Sequence, residues 1–130
     1  AVLGMHARRI VLANHAVEDV FGWKPEELIG RSTRVLYRNE EDHASIAKHI
    51  YGALRRHRTY KMEFPCRRKG GKNIVCLVSV ARIGDSLQDR KIIATYEDIT
   101  EQKRVEQALE ESERTLRALL RTYRNPDVTG

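Results

Sequence analysis

The alternation of apolar and polar positions predicts two strands at the start of the chain and three more in its second half. VLGM and RIVLA are short β-prone runs, and the polar HAR between them is a turn. TYKMEFPCR alternates apolar with charged residues, NIVCLVSVARI is apolar on both faces and predicts an inner strand, and KIIATYEDI is the last strand. RRKGGK and GDSLQDR are the turns between these three, with Gly70 and Gly71 at the tip of the first. Because hairpins force antiparallel pairing, we expect a meander with the last strand at the edge of the sheet.

Several short helices are predicted between the second and third strands. Asn14 is a candidate cap of the first helix, and Gly22 ends it. Pro25 occupies the first turn of a second helix that stops at Gly30, and residues 32–36 predict one further turn. These segments are too short to form a layer of their own, so we expect them to pack on the sheet.

The longest helix of this part begins after Asn39, a candidate N-cap that three acidic residues follow. Its apolar stripe is formed by Ile46, Ile50, Ala53 and Leu54. Together these elements predict an α+β fold, with a five-stranded antiparallel sheet and short helices on one face.

The last strand runs directly into a predicted helix, YEDITEQKRVEQALEESERTLRALL, with no Gly or Pro between them. Asp98 and Thr100 are both able to cap its start. Apolar positions spaced alternately by four and three residues form a heptad seam, interrupted by one serine: Val105, Leu109, Ser112, Leu116, Leu119 and Tyr123. A small domain does not need this helix to close its core. We therefore expect the seam to pair in parallel with a second copy of the chain, or to fold back on the globular part.

The length of 130 residues suits one domain, and a hydrophobic fraction of 41% is enough for a core. We predict a core over residues 1–99, a coiled-coil-like helical linker over 100–124, and the start of a linker to a further domain over 125–130. Both ends read as cuts through a longer protein. No apolar run approaches the ~18 residues that span a bilayer, and no signal peptide is present. We expect a cytoplasmic location, and a membrane anchor elsewhere in the parent protein stays open.

The net charge of +6 is concentrated before the terminal helix, most densely from Arg55 to Lys72. This segment is either a phosphate-binding face or the solvated face of a sheet. Its charges alternate with apolar residues on predicted strands, which favours the second interpretation, so no nucleic-acid partner is expected. Cys66 and Cys76 do not make a disulfide scaffold, and we interpret them as small buried hydrophobes in a reduced setting, with a redox role as the alternative.

No catalytic constellation is present in the sequence. There is no P-loop, no metal-protease helix and no ordered set of serine, histidine and aspartate residues. The acidic pairs at helix starts are explained by the helix dipole. We therefore predict no catalytic residue, no metal site and no enzymatic activity in this chain.

In four segments the chain resembles a PAS domain with its C-terminal PAC half, over nearly all of residues 1–123. They are RIVLANHAVEDVFGWKPEELIGRS, the hairpin FPCRRKGGKNIVCL, the strand-to-helix exit YEDITEQKRVEQAL, and SERTLRALL, which is similar to the lead-in to another domain. Gly70 stands where the family's hairpin usually has Asp. The resemblance implies a sensory and dimerisation module of a bacterial signal-transduction protein, of histidine kinase or diguanylate cyclase/phosphodiesterase type, with the output domain on the same parent chain.

The same resemblance places a signal-transmission junction at Asp98, Ile99 and Thr100. Their alternative role is a helix cap alone. The expected dimer seam is Val105, Leu109, Leu116, Leu119 and Tyr123.

The ligand of such a module is not named by the sequence. The default is no cofactor, with a small organic molecule or haem as alternatives. The residues expected to line a pocket, or else simply to fill the core, are Val17, Phe21, Ile46, Ile50, Leu54, Met62 and Phe64. For haem, the best-oriented ligand on the long helix is His57 if the helix extends that far, with His43 second. Flavin-binding relatives use a cysteine in the region matching STRVLYRNEED, which contains none here.

Overall fold

Five antiparallel strands form one sheet in the computed structural model, which describes residues 1–84 and 90–124. The spatial order is β2–β1–β5–β4–β3. The strands are β1 (Val2–His6), β2 (Arg9–Ala13), β3 (Thr59–Arg67), β4 (Asn73–Arg82) and β5 (Lys91–Asp98). The five-stranded sheet predicted from the sequence is confirmed, and β4 has a partner on each side. The second predicted turn, GDSLQDR, spans residues 84–90, of which 85–89 lie outside the described residues.

The last strand, β5, is the central strand of the sheet. It pairs with β4 on one side, where Val78 faces Tyr96, and with β1 on the other, where Val2 faces Thr95. The prediction of an edge strand is therefore wrong. The order of strands along the sequence does not reveal that β1 pairs with the free side of β5. This pairing joins residues that are far apart in the chain.

The helices that connect β2 to β3 are α1 (Ala16–Phe21), α2 (Pro25–Leu28), a 3-10 helix (Thr33–Leu36) and α3 (Glu40–Leu54). Asn39 caps α3 as predicted, because its side-chain oxygen accepts the N–H of Asp42 at 2.8 Å. The predicted cap at Asn14 is wrong. Its side-chain oxygen accepts the N–H of Val2 at 2.9 Å, so this residue ties β2 to β1 instead.

The core lies between the helices and the inner face of the sheet. Alternate residues of β5 show the pattern, since Ile92, Ala94 and Tyr96 are buried while Ile93 and Thr95 are exposed. The buried stripe of α3 packs on the same face and consists of His43, Ile46, Ile50 and Leu54. The predicted stripe is confirmed at Ile46, Ile50 and Leu54, whereas Ala53 is only half-buried and His43 joins the buried face.

The chain divides into two compact units, Ala1–Ile99 and Thr100–Gly130. The second contains α4 (Thr100–Arg124), the predicted terminal helix. A search of the described residues finds no helix with the length and apolarity required to span a membrane.

Candidate ligand-binding cavity

A small cavity of about 30 Å³ lies in the first unit, between α3 and the strands β1 and β5. Its walls combine apolar side chains with six that carry a polar group. The residues lining it are Met5, Arg8, Thr33, Tyr37, His43, Ile46, Ala47, Ile50, Tyr51, Ile92 and Tyr96. The mixture of a mostly apolar wall and a few convergent polar groups is typical of small-molecule sites.

Two buried tyrosine hydroxyls meet at the wall of the cavity. The Tyr37 and Tyr96 oxygens are 2.7 Å apart and share one hydrogen bond. Phe21 contacts the Tyr96 ring edge-on at 5.2 Å, and Phe64 does the same to Tyr37 at 5.7 Å. Burial raises the pKa of both tyrosines above the ordinary value, so both hydroxyls stay protonated.

A histidine and a threonine form a second buried polar pair. His43 Nε2 lies 2.8 Å from Thr33 Oγ1, and the imidazole stacks on the Tyr37 ring at 5.7 Å. Burial, followed by the charge of Arg8, lowers the pKa of His43 to about 4. The imidazole is therefore neutral at pH 7 and offers one N–H donor and one acceptor.

Arg8 reaches the cavity from the turn between β1 and β2. The turn places Ala7 and Arg8 at positive φ, 51° and 68°. One terminal nitrogen of the guanidinium donates to the backbone oxygen of His43 at 3.1 Å. The Nε–H of Arg8 is buried and has no hydrogen-bond partner.

Of the seven residues predicted to line a pocket, Ile46 and Ile50 do line the cavity. Of the others, Met62 is half-buried against the core, and the rest are fully packed core residues: Val17, Phe21, Leu54 and Phe64. Five of the seven residues expected to line the pocket therefore do not line it. The cavity lies against β1 and β5 and not against β3.

Apart from His43, which was named only as a haem candidate, the polar residues of the cavity were missed in the sequence. Tyr96 carried a usable signal, since it lies two residues beyond Ala94 on the buried face of an alternating strand. Arg8, Thr33 and Tyr37 lie in a turn, a 3-10 helix and the residue after it, where no periodicity indicates which way a side chain points.

The two haem candidates lie in different surroundings. Helix α3 ends at Leu54, so His57 lies beyond it, and its side chain is exposed. His43 does line the cavity, with Nε2 within hydrogen-bond distance of Thr33. A cavity of about 30 Å³ has room for groups of a few atoms and not for a porphyrin.

The two cysteines are adjacent on the inner face of β3 and β4. Both are free and buried, and a hydrogen bond with Cys76, followed by burial, raises the pKa of Cys66 well above its ordinary value. A buried thiol held in its protonated form is a poor nucleophile, which favours the packing role predicted for both cysteines over the redox role.

The predicted transmission junction lies where β5 ends. Asp98 is the last residue of the strand and faces Cys76 on β4, Ile99 is buried, and Thr100 begins α4. The N–H of Ile99 donates to the backbone oxygen of Val75 at 2.9 Å. The junction residue Ile99 is thus anchored to the sheet by its backbone.

The seam of α4 is exposed in the single chain. At 100° per residue its members fall within an arc of about 80°. Their exposed fractions are 59% for Val105, 58% for Leu109, 56% for Leu116, 64% for Leu119 and 84% for Tyr123. An apolar stripe of this extent is typical of a surface that a partner covers.

Part of the basic segment from Arg55 to Lys72 is used inside the first unit. Arg68 donates to the backbone oxygens of Asp19 and Val20, which close the end of α1. Lys69 forms an ion pair with Glu27, which lowers the pKa of that carboxyl. These contacts attach the β3–β4 hairpin to the helices, as expected for a structural rather than a phosphate-binding role.

Among residues 1–84 and 90–124, no group of three or more His, Cys, Asp or Glu side chains is placed to hold a metal ion. The described residues that line the cavity include no carboxylate and no cysteine. The arrangement can bind and orient a small molecule by hydrogen bonds.

The sheet order, the helices on one face and the interior cavity define a PAS sensory domain. Residues 2–101 match the family described as PAS domain, and the chain belongs to that family, whose members are sensory, non-catalytic modules.

In sequence, the chain is 32% identical over 120 residues to the sensor protein TdiS of Thauera aromatica. This match covers 92% of the chain and only 22% of that relative's length.

Solved structures show the same fold. The PAS domain of a LuxR-family transcriptional regulator from Burkholderia thailandensis, in complex with ethanol, has a TM-score of 0.71 and 24% identity, over 75% of this chain and 87% of that one. A PAS domain from Colwellia psychrerythraea has a TM-score of 0.71 and 20% identity, over 78% and 86%. The LOV protein of Rhodobacter sphaeroides has a TM-score of 0.63 and 17% identity, over 76% and 58%.

Proposed function

We propose that this chain is a ligand-sensing and dimerisation module that passes a change in its core through α4 to an output domain of the same parent protein. The output domain is of histidine kinase or diguanylate cyclase/phosphodiesterase type. The observation that carries the proposal is that β5 lines the cavity and is also the strand that leads into α4. Ile92 and Tyr96 contact the cavity, and Tyr96 is two residues from Asp98.

The cavity supports a ligand as the stimulus. The ethanol bound to the Burkholderia PAS domain is a molecule of a size that suits a cavity of about 30 Å³. A guest that changes the position of Tyr96 acts on the central strand, since β5 is hydrogen-bonded to a neighbour on each side. Two packing arrangements that differ by a few kcal/mol are enough for a switch.

The exposed seam of α4 supports the homodimer. Parallel pairing of two helices through this seam would bury its apolar positions and carry a rotation of the helix start toward the next domain. A cytoplasmic location belongs to the same proposal and is supported by the two free thiols.

The function is tested by replacing Asp98 with alanine in the full-length parent. We expect the output activity to lose its dependence on the stimulus while the domain stays folded. Asn39→Ala is the matched control, because it removes the N-cap of α3, a helix that is not continuous with β5. If both variants lower stability and neither changes the response of the output to the stimulus, Asp98 is only a helix cap. The proposed transmission role would then be wrong.

A further inference from the structure

The polar side chains of the cavity have more hydrogen-bond donors than they use among themselves. Tyr37 and Tyr96 each have one O–H group, and both hydroxyls are protonated at neutral pH. The single hydrogen bond between their oxygens uses one of the two hydrogens. Whichever tyrosine donates, the other keeps an O–H hydrogen to offer.

The Thr33–His43 pair also has one hydrogen-bond donor more than its mutual hydrogen bond uses. If neutral His43 carries its hydrogen on Nε2, it donates to Thr33 and the threonine O–H is left over. If the hydrogen is on Nδ1, Thr33 donates to Nε2 and the Nδ1–H is left over. Either tautomer of the imidazole therefore leaves one further donor.

Arg8 adds a third spare donor and a positive charge. Its Nε–H is buried without a partner, and a buried unpaired donor costs about 1–3 kcal/mol, more when it is charged. Among the described residues no carboxylate forms an ion pair with Arg8. Glu40, the acid that acts on His43, is paired with Arg34 at 3.1 Å.

The volume limits the guest. About 30 Å³ holds roughly two to three water-sized groups, since one such group needs about 10–15 Å³ by this measure. A carboxylate group consists of three heavy atoms and accepts hydrogen bonds at both oxygens. It supplies an acceptor for the unpaired Nε–H of Arg8 and a negative charge beside that guanidinium.

We propose that the cavity binds a small monocarboxylate of one or two carbons, with Arg8 as the residue that selects the anion. This inference rests on the proposed sensory function of the same cavity and names the class of its ligand. Selection by charge follows from the described residues of the wall, which include one cation and no carboxylate.

The test uses acetate and acetamide, which have the same shape and differ in charge and in one oxygen acceptor, which is an NH₂ donor in acetamide. Each is titrated into the 130-residue chain at pH 7 and constant ionic strength, and the backbone amide signals of Ile92 to Tyr96 are followed by NMR. We expect saturable shifts with acetate and at least tenfold weaker binding of acetamide.

Arg8→Gln is expected to weaken the binding of acetate at least tenfold, to the affinity expected for acetamide. Arg9→Gln is the matched control. It removes the same charge one residue away, where the side chain is exposed and donates to Gly30, and it should change acetate binding less than twofold. Arg8→Lys keeps the charge and loses the Nε–H, so an intermediate loss is expected.

Equal binding of acetate and acetamide would overturn the proposal, and so would the absence of shifts up to 100 mM acetate. An equal loss in the Arg8 and Arg9 variants would also overturn it, because it would indicate attraction to the general positive charge. If Arg8→Gln does not fold, Arg8→Lys and the comparison of the two probes on the unaltered chain decide the matter. None of these results bears on the Asp98 experiment, so failure of the ligand class and failure of the sensory function can be told apart.

Discussion

The hydroxyl oxygens of Tyr37 and Tyr96 lie 2.7 Å apart inside the protein, although 59 residues separate them in the chain. Tyr37 follows the 3-10 helix of the helical layer, and Tyr96 belongs to the central strand. This hydrogen bond therefore links the helical layer to the strand that leads to Asp98.

Removing both hydroxyls of this pair should cost less than the sum of the two single removals. Tyr37→Phe or Tyr96→Phe leaves the other hydroxyl buried without its partner, and we expect each to lower the free energy of unfolding by about 1–2 kcal/mol. The double variant replaces both partners and should cost less than the sum of the two. Urea denaturation of all four proteins measures the coupling. Strict additivity would show that the hydroxyls do not depend on each other.

The buried neutral His43 predicts a loss of stability in mild acid. Burial lowers its folded-state pKa to about 4, below the ordinary 6.5, so between these values the unfolded chain binds more protons. The stability contributed by the neutral imidazole is fully present above pH 6.5 and is lost as the pH falls toward 4. The charged groups that act on it are Arg8 and Arg34, which oppose protonation, and Glu40, which favours it.

Urea denaturation at pH 7 and pH 5 checks this pH dependence, with His43→Gln for comparison. The pH effect should be smaller in the variant, which has no group that titrates at this position. The other four histidines are exposed and serve as an internal background. A variant that loses as much stability between pH 7 and pH 5 as the unaltered chain would exclude His43 as the cause.

The seam of α4 predicts a dimer that one charge can break. Leu116→Asp puts a carboxylate in the middle of the apolar stripe, whereas Ala118→Asp puts the same group on the opposite face of the same helix. We expect sedimentation to show a concentration-dependent dimer for the unaltered chain and for Ala118→Asp, and a monomer for Leu116→Asp. A chain that stays monomeric at high concentration would contradict dimerisation through this seam.

Asn39 should be worth about 1 kcal/mol as the N-cap of α3. Asn39→Ala removes the oxygen that accepts the N–H of Asp42, and Asn39→Ser restores an acceptor at the same position. We expect the melting temperature to fall in the alanine variant and to return most of the way in the serine variant. Equal melting temperatures for alanine and serine would mean that the cap is not the source of the effect.

The sequence predicted the elements of this fold better than their arrangement. Periodicity identified β4 and the stripe of α3 because burial on one or both faces repeats along a single segment. It did not locate β5 at the centre, since the pairing of Val2 with Thr95 joins residues more than ninety positions apart. Asn14 shows the same limit, because its side-chain oxygen could serve a helix or a neighbouring strand, and the fold selects the strand.

Of the cavity residues, the sequence indicated Ile46 and Ile50 as pocket lining and His43 as a candidate haem ligand. The polar part of the cavity depends on the turn that holds Arg8 at a φ of 68° and on the residue that follows a 3-10 helix. Neither has a repeating pattern. The exposed apolar stripe of α4, in contrast, was read from the sequence, because a single straight helix keeps its neighbours in register, and its role in pairing stays a prediction.

The central position of β5 also determines the order in which the fold can be completed. Without residues 91–98 the sheet consists of two separate hairpins, β1–β2 and β3–β4, each with an unpaired edge. During synthesis the first hairpin has to wait for almost the whole domain before it finds its second partner, and such distant pairing is slow to form. Folding of the sensory domain therefore finishes only as the chain enters α4, and the segment that would carry the signal is made at the moment when the sheet can close.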